Sequence, residues 1–167
     1  MVTTAINETD ILELLEEIKD PEIPVVSIIE MGMVRGVRIN GENINIQITP
    51  TYNGCPAMRQ IEDDIISRLK IFGYENVSVE NVLSPAWTTD WMSESTKLKL
   101  KTYGIAPPTK SNFNIEFPLK LFTSEKIDCP FCDSSNTKLT SEFGSTACKS
   151  LYFCDDCCQP FEYFKCH

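Results

Sequence analysis

Cys129-Pro130-Phe131-Cys132 and Cys154-Asp155-Asp156-Cys157 are two Cys-x-x-Cys pairs separated by 21 residues. Each pair can close a tight turn that points both thiolates at one ion, and the stretch between them is long enough to run out and back as a hairpin and complete a tetrahedron. The spacing predicts a zinc ribbon, a β-hairpin module in which Cys129, Cys132, Cys154 and Cys157 hold a structural zinc. Zinc accepts four thiolates without a redox change, and a segment this small has too little core to fold stably alone. Two rivals use the same thiols: an iron-sulfur cluster on all four, or thiol-disulfide chemistry at Cys129 and Cys132. Cys148, Cys158, Cys166 and the sole histidine, His167, are left as packing residues, alternative ligands or parts of a second site.

Working outward, the 167 residues are 42% hydrophobic and 23% charged, enough for one domain of about 100 residues and a smaller module. The apolar run Val25 to Ile29 falls far short of the roughly 20 residues a membrane span needs, and the N-terminus lacks the basic and apolar regions of a signal peptide. The expectation is a cytoplasmic protein with no membrane contact, where eight cysteines suit metal or redox chemistry better than disulfides. The net charge is -9, with 10 basic against 16 acidic residues up to Lys110 and 5 against 8 after it. Nucleic-acid binding needs clustered Lys and Arg, so neither half suits it, and protein partners are expected instead.

Ile11, Leu14, Leu15 and Ile18 recur at helical spacing behind the capping candidates Asn7 and Thr9, which predicts an amphipathic helix ended by Asp20-Pro21. Met33 to Ile39 and Ile44 to Thr49 read as strands joined at Asn40-Gly41, a tight-turn dipeptide, with Ile44, Ile46 and Ile48 alternating against polar residues. A second helix starts near Pro56, carries Ile61, Ile65, Leu69 and Phe72 on one face and stops at Gly73, and Val77 to Leu83 reads as a third strand. The order is αββαβ, and the fold class α+β. Ser93 to Tyr103 is ambiguous: Lys97 to Lys101 alternates like a strand, but Ser93 and Gly104 are good helix caps, which favours a short helix. Pro107-Pro108 opens a linker, giving an α/β domain over 1–108, a linker over 109–126 and the ribbon over 127–167.

Thr49-Pro50-Thr51-Tyr52-Asn53-Gly54-Cys55-Pro56 joins a strand to a helix, where loops commonly present functional groups. With Pro56 at the first helical position Cys55 becomes the N-cap, where free amides and the helix dipole would lower a thiol pKa. An inert buried cysteine is the competing reading. Asp20-Pro21-Glu22 sets two carboxylates on a rigid turn, which is also a plain helix stop. Trp87 and Trp91 read as core residues rather than as a partner-binding surface.

Taken in order, Asp20 to Pro24, Glu30 to Val34, Thr49 to Ala57, Trp87 to Trp91, Gly104 to Pro108, Phe143 to Tyr152, Cys154 to Cys157 and Pro160 to Lys165 resemble the PaaD family of phenylacetate-degradation accessory proteins. The N-terminal half looks like the iron-sulfur assembly domain of SufT-like factors. The resemblance implies no catalytic subunit but an accessory or maturation protein of the multicomponent oxygenase that epoxidises the ring of phenylacetyl-CoA, assisting iron-sulfur cluster assembly or delivery. It implies transient iron or cluster contact at Cys55, Asp20 and Glu22, and partners among the oxygenase or reductase subunits. A homodimer is compatible with it. The alternative is a scaffold that docks those subunits through the ribbon and transfers no metal. Cys158, beside a ribbon ligand, departs from the expected pattern.

Overall fold

The computed structural model describes residues 7–108 and 126–165. The chain divides into two compact units, Met1–Met92 and Ser93–His167. The expected boundary at 108 falls inside the second unit, and the expected linker lies outside the described residues except for Lys126.

In the first unit the elements follow the expected order: α1 (Glu8–Glu16), β1 (Val34–Asn40), β2 (Asn43–Ile48), α2 (Ala57–Ile71) and β3 (Asn76–Asn81). Asn7 caps α1, its Oδ1 accepting the Asp10 amide at 2.9 Å. That helix ends before Asp20-Pro21, because the Ile18 amide already returns to Leu15 O at 3.1 Å and Lys19 bridges to Ser27. β1 and β2 form an antiparallel hairpin around Gly41, which takes a left-handed φ of 64°. β2 then pairs in parallel with β3, with α2 as the crossover.

The sequence alternation becomes burial here. Ile44, Ile46 and Ile48 on the central strand are fully buried, as are Ile11 and Leu15 of α1 and Ile61, Ile65 and Leu69 of α2. Each such side chain contributes roughly 1.5–3 kcal/mol on burial, so the sheet and its helices hold together through one apolar face. The tryptophans belong to this unit too: Trp87 is buried and donates its indole N–H to Met31 O at 2.8 Å. Trp91 is covered by the Arg35 guanidinium 3.8 Å from its ring centroid.

The second unit begins with α3 (Glu94–Tyr103), so the caps decide the ambiguous Lys-Leu alternation in favour of helix. Ser93 Oγ accepts the Thr96 amide at 3.1 Å, and Gly104 closes the helix at a left-handed φ of 94°. Next come β4 (Ile105–Ala106), β5 (Thr137–Ser141), β6 (Lys149–Cys154) and β7 (Pro160–Phe164), in the sheet order β4-β7-β6-β5. β4 runs parallel to β7 through Ile105–Glu162 and Ala106–Tyr163, adding a fourth strand to the ribbon. The ribbon core joins Ala106, Ile127, Cys129, Tyr152, Cys154, Phe161 and Tyr163. No helix among the described residues is long and apolar enough to cross a membrane.

Candidate functional site

The two Cys-x-x-Cys segments are built alike. In each, the amide of the first cysteine donates to the carbonyl five residues on, Cys129 to Ser134 O and Cys154 to Gln159 O, both at 2.9 Å. In each, the residue four positions on is left-handed: Asp133 at φ 59° and Cys158 at φ 57°. Asp156 ties the two knuckles together by accepting from the Ser134 hydroxyl and from Asn136 Nδ2, and those two donors hold its carboxyl below the usual range.

The sulfurs of Cys129, Cys132, Cys154 and Cys157 all lie within 4.8 Å of one another. A single tetrahedral ion with metal–sulfur bonds of about 2.3 Å sets its ligand sulfurs about 3.8 Å apart. The contacts across the knuckles, Cys129 to Cys157 and Cys132 to Cys154, are 3.6 Å. The four thiols therefore fit one ion, whereas a polynuclear cluster would spread its cysteine ligands further. All four are free thiols, and these 3.6 Å contacts join different pairs, not Cys129 to Cys132 as a redox disulfide would. The amides of Cys157 and then Asp156 donate to the Cys154 sulfur and hold its pKa at about 7, so the backbone already favours a thiolate there.

The remaining described cysteines of the second unit lie outside that ligand set. Cys158 occupies the exposed left-handed corner, its thiol directed to Asp155 O at 3.8 Å. Cys148 is buried, 3.0 Å from the Thr146 hydroxyl. Cys166 and His167 lie outside the described residues.

In the first unit, residues far apart in sequence are brought together around Cys55. Asp20 is buried and its Oδ1 accepts the amides of Glu22 and Ile23, both at 2.8 Å, fixing the acidic turn. Gly54 takes a φ of 84° and the Cys55 amide donates to Tyr52 O at 3.3 Å, closing the loop as a tight turn. The helix cap is Pro56, with Cys55 one step earlier, its carbonyl accepting the Met58 amide at 3.4 Å.

The Cys55 thiol is raised, not lowered. Burial is the largest cause; the Ala57 amide opposes it, the Glu22 carboxylate adds to it, the Tyr52 hydroxyl opposes it and Asp20 adds to it. The helix start does supply its amide, but burial and two carboxylates outweigh it. Tyr52 is the residue that sequence reasoning missed, since nothing in the pattern shows its hydroxyl reaching back to the cysteine three positions on. Among the described residues only the ribbon thiols meet within the span of one ion, so Cys55 with Asp20 and Glu22 is an open group of a neutral thiol and two carboxyl side chains.

Comparison with known proteins agrees with this division. Residues 8–81 match the family described as iron-sulfur cluster assembly protein, and residues 118–165 match the PaaD zinc beta ribbon domain. An Escherichia coli protein, named as a putative component of 1,2-phenylacetyl-CoA epoxidase, is 46% identical over 94% of this chain and 92% of its own length. The chain belongs to the PaaD family. Shorter relatives match about half of this chain. An Fe-S protein maturation auxiliary factor, SufT, from Staphylococcus aureus is 35% identical over 48% of this chain and 93% of its own. The crystal structure of a domain of unknown function from Bacillus anthracis superposes with a TM-score of 0.52 at 32% identity, covering 56% of this chain and 90% of that one.

Proposed function

We propose that this PaaD-family chain is an accessory or maturation protein of the multicomponent oxygenase that epoxidises the ring of phenylacetyl-CoA. It assists assembly or delivery of an iron-sulfur centre and carries out none of the ring chemistry. The relatives named as an epoxidase component and as an Fe-S maturation factor support the two halves of this reading. The observation that carries it is the gathering of Cys55 with Glu22, Asp20 and Tyr52. Two carboxylates beside a half-buried thiol disfavour its thiolate, but beside a cation the same three groups become anionic donors. Iron is cargo here, met by an open set of donors from which it can leave.

The ribbon has a separate task. Its four thiols hold a structural zinc, which keeps the small second unit folded and presents it to oxygenase or reductase subunits.

Reconstitution of the anaerobic full-length protein with iron and sulfide, beside Cys55→Ser, tests the reading. Wild type is expected to bind or deliver iron and support epoxidase activity, and Cys55→Ser to lose both. If wild type neither binds nor delivers iron and Cys55→Ser still supports the epoxidase, the maturation reading fails. A scaffold would instead tolerate Cys55→Ser and lose pull-down of the oxygenase or reductase only when the ribbon is disrupted by Cys132→Ser.

A further inference from the structure

We propose that Cys132 is the reactive sulfur of the ribbon: the ligand that a soft carbon electrophile reaches first and through which the site gives up its ion, with α3 as its restraint. This inference rests on the reading of the ribbon as a zinc site. The four sulfurs share one cluster but not one degree of cover. Cys129 and Cys154 are 0% exposed and Cys157 is half-buried, whereas Cys132 is exposed. Its chain neighbours Phe131 and Asp133 are exposed as well, so the open side of the cluster is the tip of the first knuckle.

Beyond the bonds they share, the two knuckles are held by different means. The second lies between β6, which ends at Cys154, and β7, which begins at Pro160, and these strands pair from Lys149–Phe164 to Phe153–Pro160. Strand pairing thus clamps both ends of that turn. The first knuckle precedes β5, an edge strand in the order β4-β7-β6-β5. Side chains hold it instead: Asp133 pairs with Lys101 of α3, the Phe131 ring lies 3.1 Å from where a Cβ of Gly104 would stand, and Asp156 accepts from Ser134 and Asn136. The Lys101 and Asp133 side chains are 39% and 73% exposed, so water competes for their ion pair. A turn held by a few exposed contacts opens locally more readily than one clamped by paired strands. Cys132 is therefore both the most accessible ligand and a ligand on the looser turn.

A ligating thiolate is still a nucleophile, so access decides which of the four reacts first. With iodoacetamide the Cys132 sulfur attacks the methylene carbon: an S–C bond forms, the C–I bond breaks and iodide leaves. The product is a neutral thioether, a far weaker donor to zinc than a thiolate, and only three thiolates remain in the set. A chelator in solution then completes removal of the ion.

The test uses the full-length chain loaded with zinc, iodoacetamide and a chromogenic zinc chelator. Samples are taken as zinc is released, unfolded, treated with heavy-isotope iodoacetamide and digested, and fragment masses assign the first label to each cysteine. When about one-fifth of the zinc is out, Cys132 is expected to carry roughly five times the label of Cys129, Cys154 or Cys157, or more. Cys158, exposed and outside the ligand set, should be labelled without zinc release and serves as the control. Lys101→Met should raise the rates of Cys132 labelling and zinc release about two- to five-fold, the span of an exposed ion pair, and leave the Cys158 rate unchanged. Equal label on the four ligands, first label on another of them, or an unchanged Cys132 rate in Lys101→Met overturns the proposal while the zinc reading stands. A chain that holds no zinc before the reagent is added overturns the zinc reading itself, and this proposal with it.

Discussion

Lys149 opens β6 with its side chain only 4% exposed, and its Nζ lies 2.9 Å from Oε2 of Glu162 on β7, whose side chain is 24% exposed. The other carboxylate oxygen of Glu162 accepts the Ser145 amide at 2.7 Å, so the pair pins the loop that precedes β6. Lys149→Met removes the cation, keeps the length of the side chain and leaves the carboxylate with the Ser145 amide. Breaking a buried pair from one side costs about 3–5 kcal/mol, and the partial exposure of Glu162 reduces this to roughly 2–3 kcal/mol. For a unit of this size that corresponds to a midpoint lower by roughly 10–20 °C.

Both tryptophans lie in the first unit, so their fluorescence follows that unit, while zinc release to a chromogenic chelator follows the ribbon. The expected result is early zinc release with an unchanged tryptophan transition. Lys149→Met/Glu162→Leu, which removes both charges, should regain at least half of the loss, because a buried pair replaced by apolar groups is close to neutral. Acid should mimic the single substitution. Burial raises the Glu162 carboxyl, but the Ser145 amide and Lys149 together hold it below the ordinary glutamate range. Its stabilising contribution is therefore present above that range and disappears as the pH falls through the folded value. A single variant within about 0.5 kcal/mol of wild type, far below the expected cost of a broken pair, or a double variant worse than the single, would refute the reasoning.

Two further outcomes follow from backbone positions in the ribbon unit. Gly104→Ala places a Cβ 3.1 Å from two ring atoms of Phe131 at a φ of 94°, and thermal unfolding should show a loss of about 1–3 kcal/mol. Cys158→Gly relieves a left-handed non-glycine corner that lies outside the four-sulfur group, so metal analysis should still find one zinc per chain and the unfolding free energy should hold or rise by up to about 1 kcal/mol; loss of zinc would make Cys158 a ligand after all.

Much of the architecture is local and could be read. The alternation of Ile44, Ile46 and Ile48 fixes which face of β2 is buried, and Ser93 with Gly104 identifies a helix where Lys-Leu alternation suggests a strand. The cysteine spacing likewise encodes the metal group, because each knuckle is closed by hydrogen bonds within a few residues of its first cysteine. What escapes is non-local or quantitative. Ile105 and Ala106 look like the end of a domain, and only their pairing with Glu162 and Tyr163 makes them a strand. The helix-start argument for Cys55 identifies a real amide contact but has no means of weighing burial or the carboxylates that arrive from another loop. Trp87 is read correctly as core because burial of a large aromatic is the common outcome, although its anchor on Met31 O needed the fold.

The parallel pairing of β4 with β7 also imposes an order of events during synthesis. The first unit has all its strands once Asn81 has emerged from the ribosome, and its sheet can close while the rest is still being made. Ile105 and Ala106 emerge soon afterwards, yet the residues they pair with, Glu162 and Tyr163, follow 57 residues later. Until then β4, which directly follows α3, has no strand to pair with. The knuckles must wait as well, since Cys154 and Cys157 arrive long after Cys129 and Cys132. Metal capture and sheet closure in the second unit therefore both come after every strand of the first unit is available to pair.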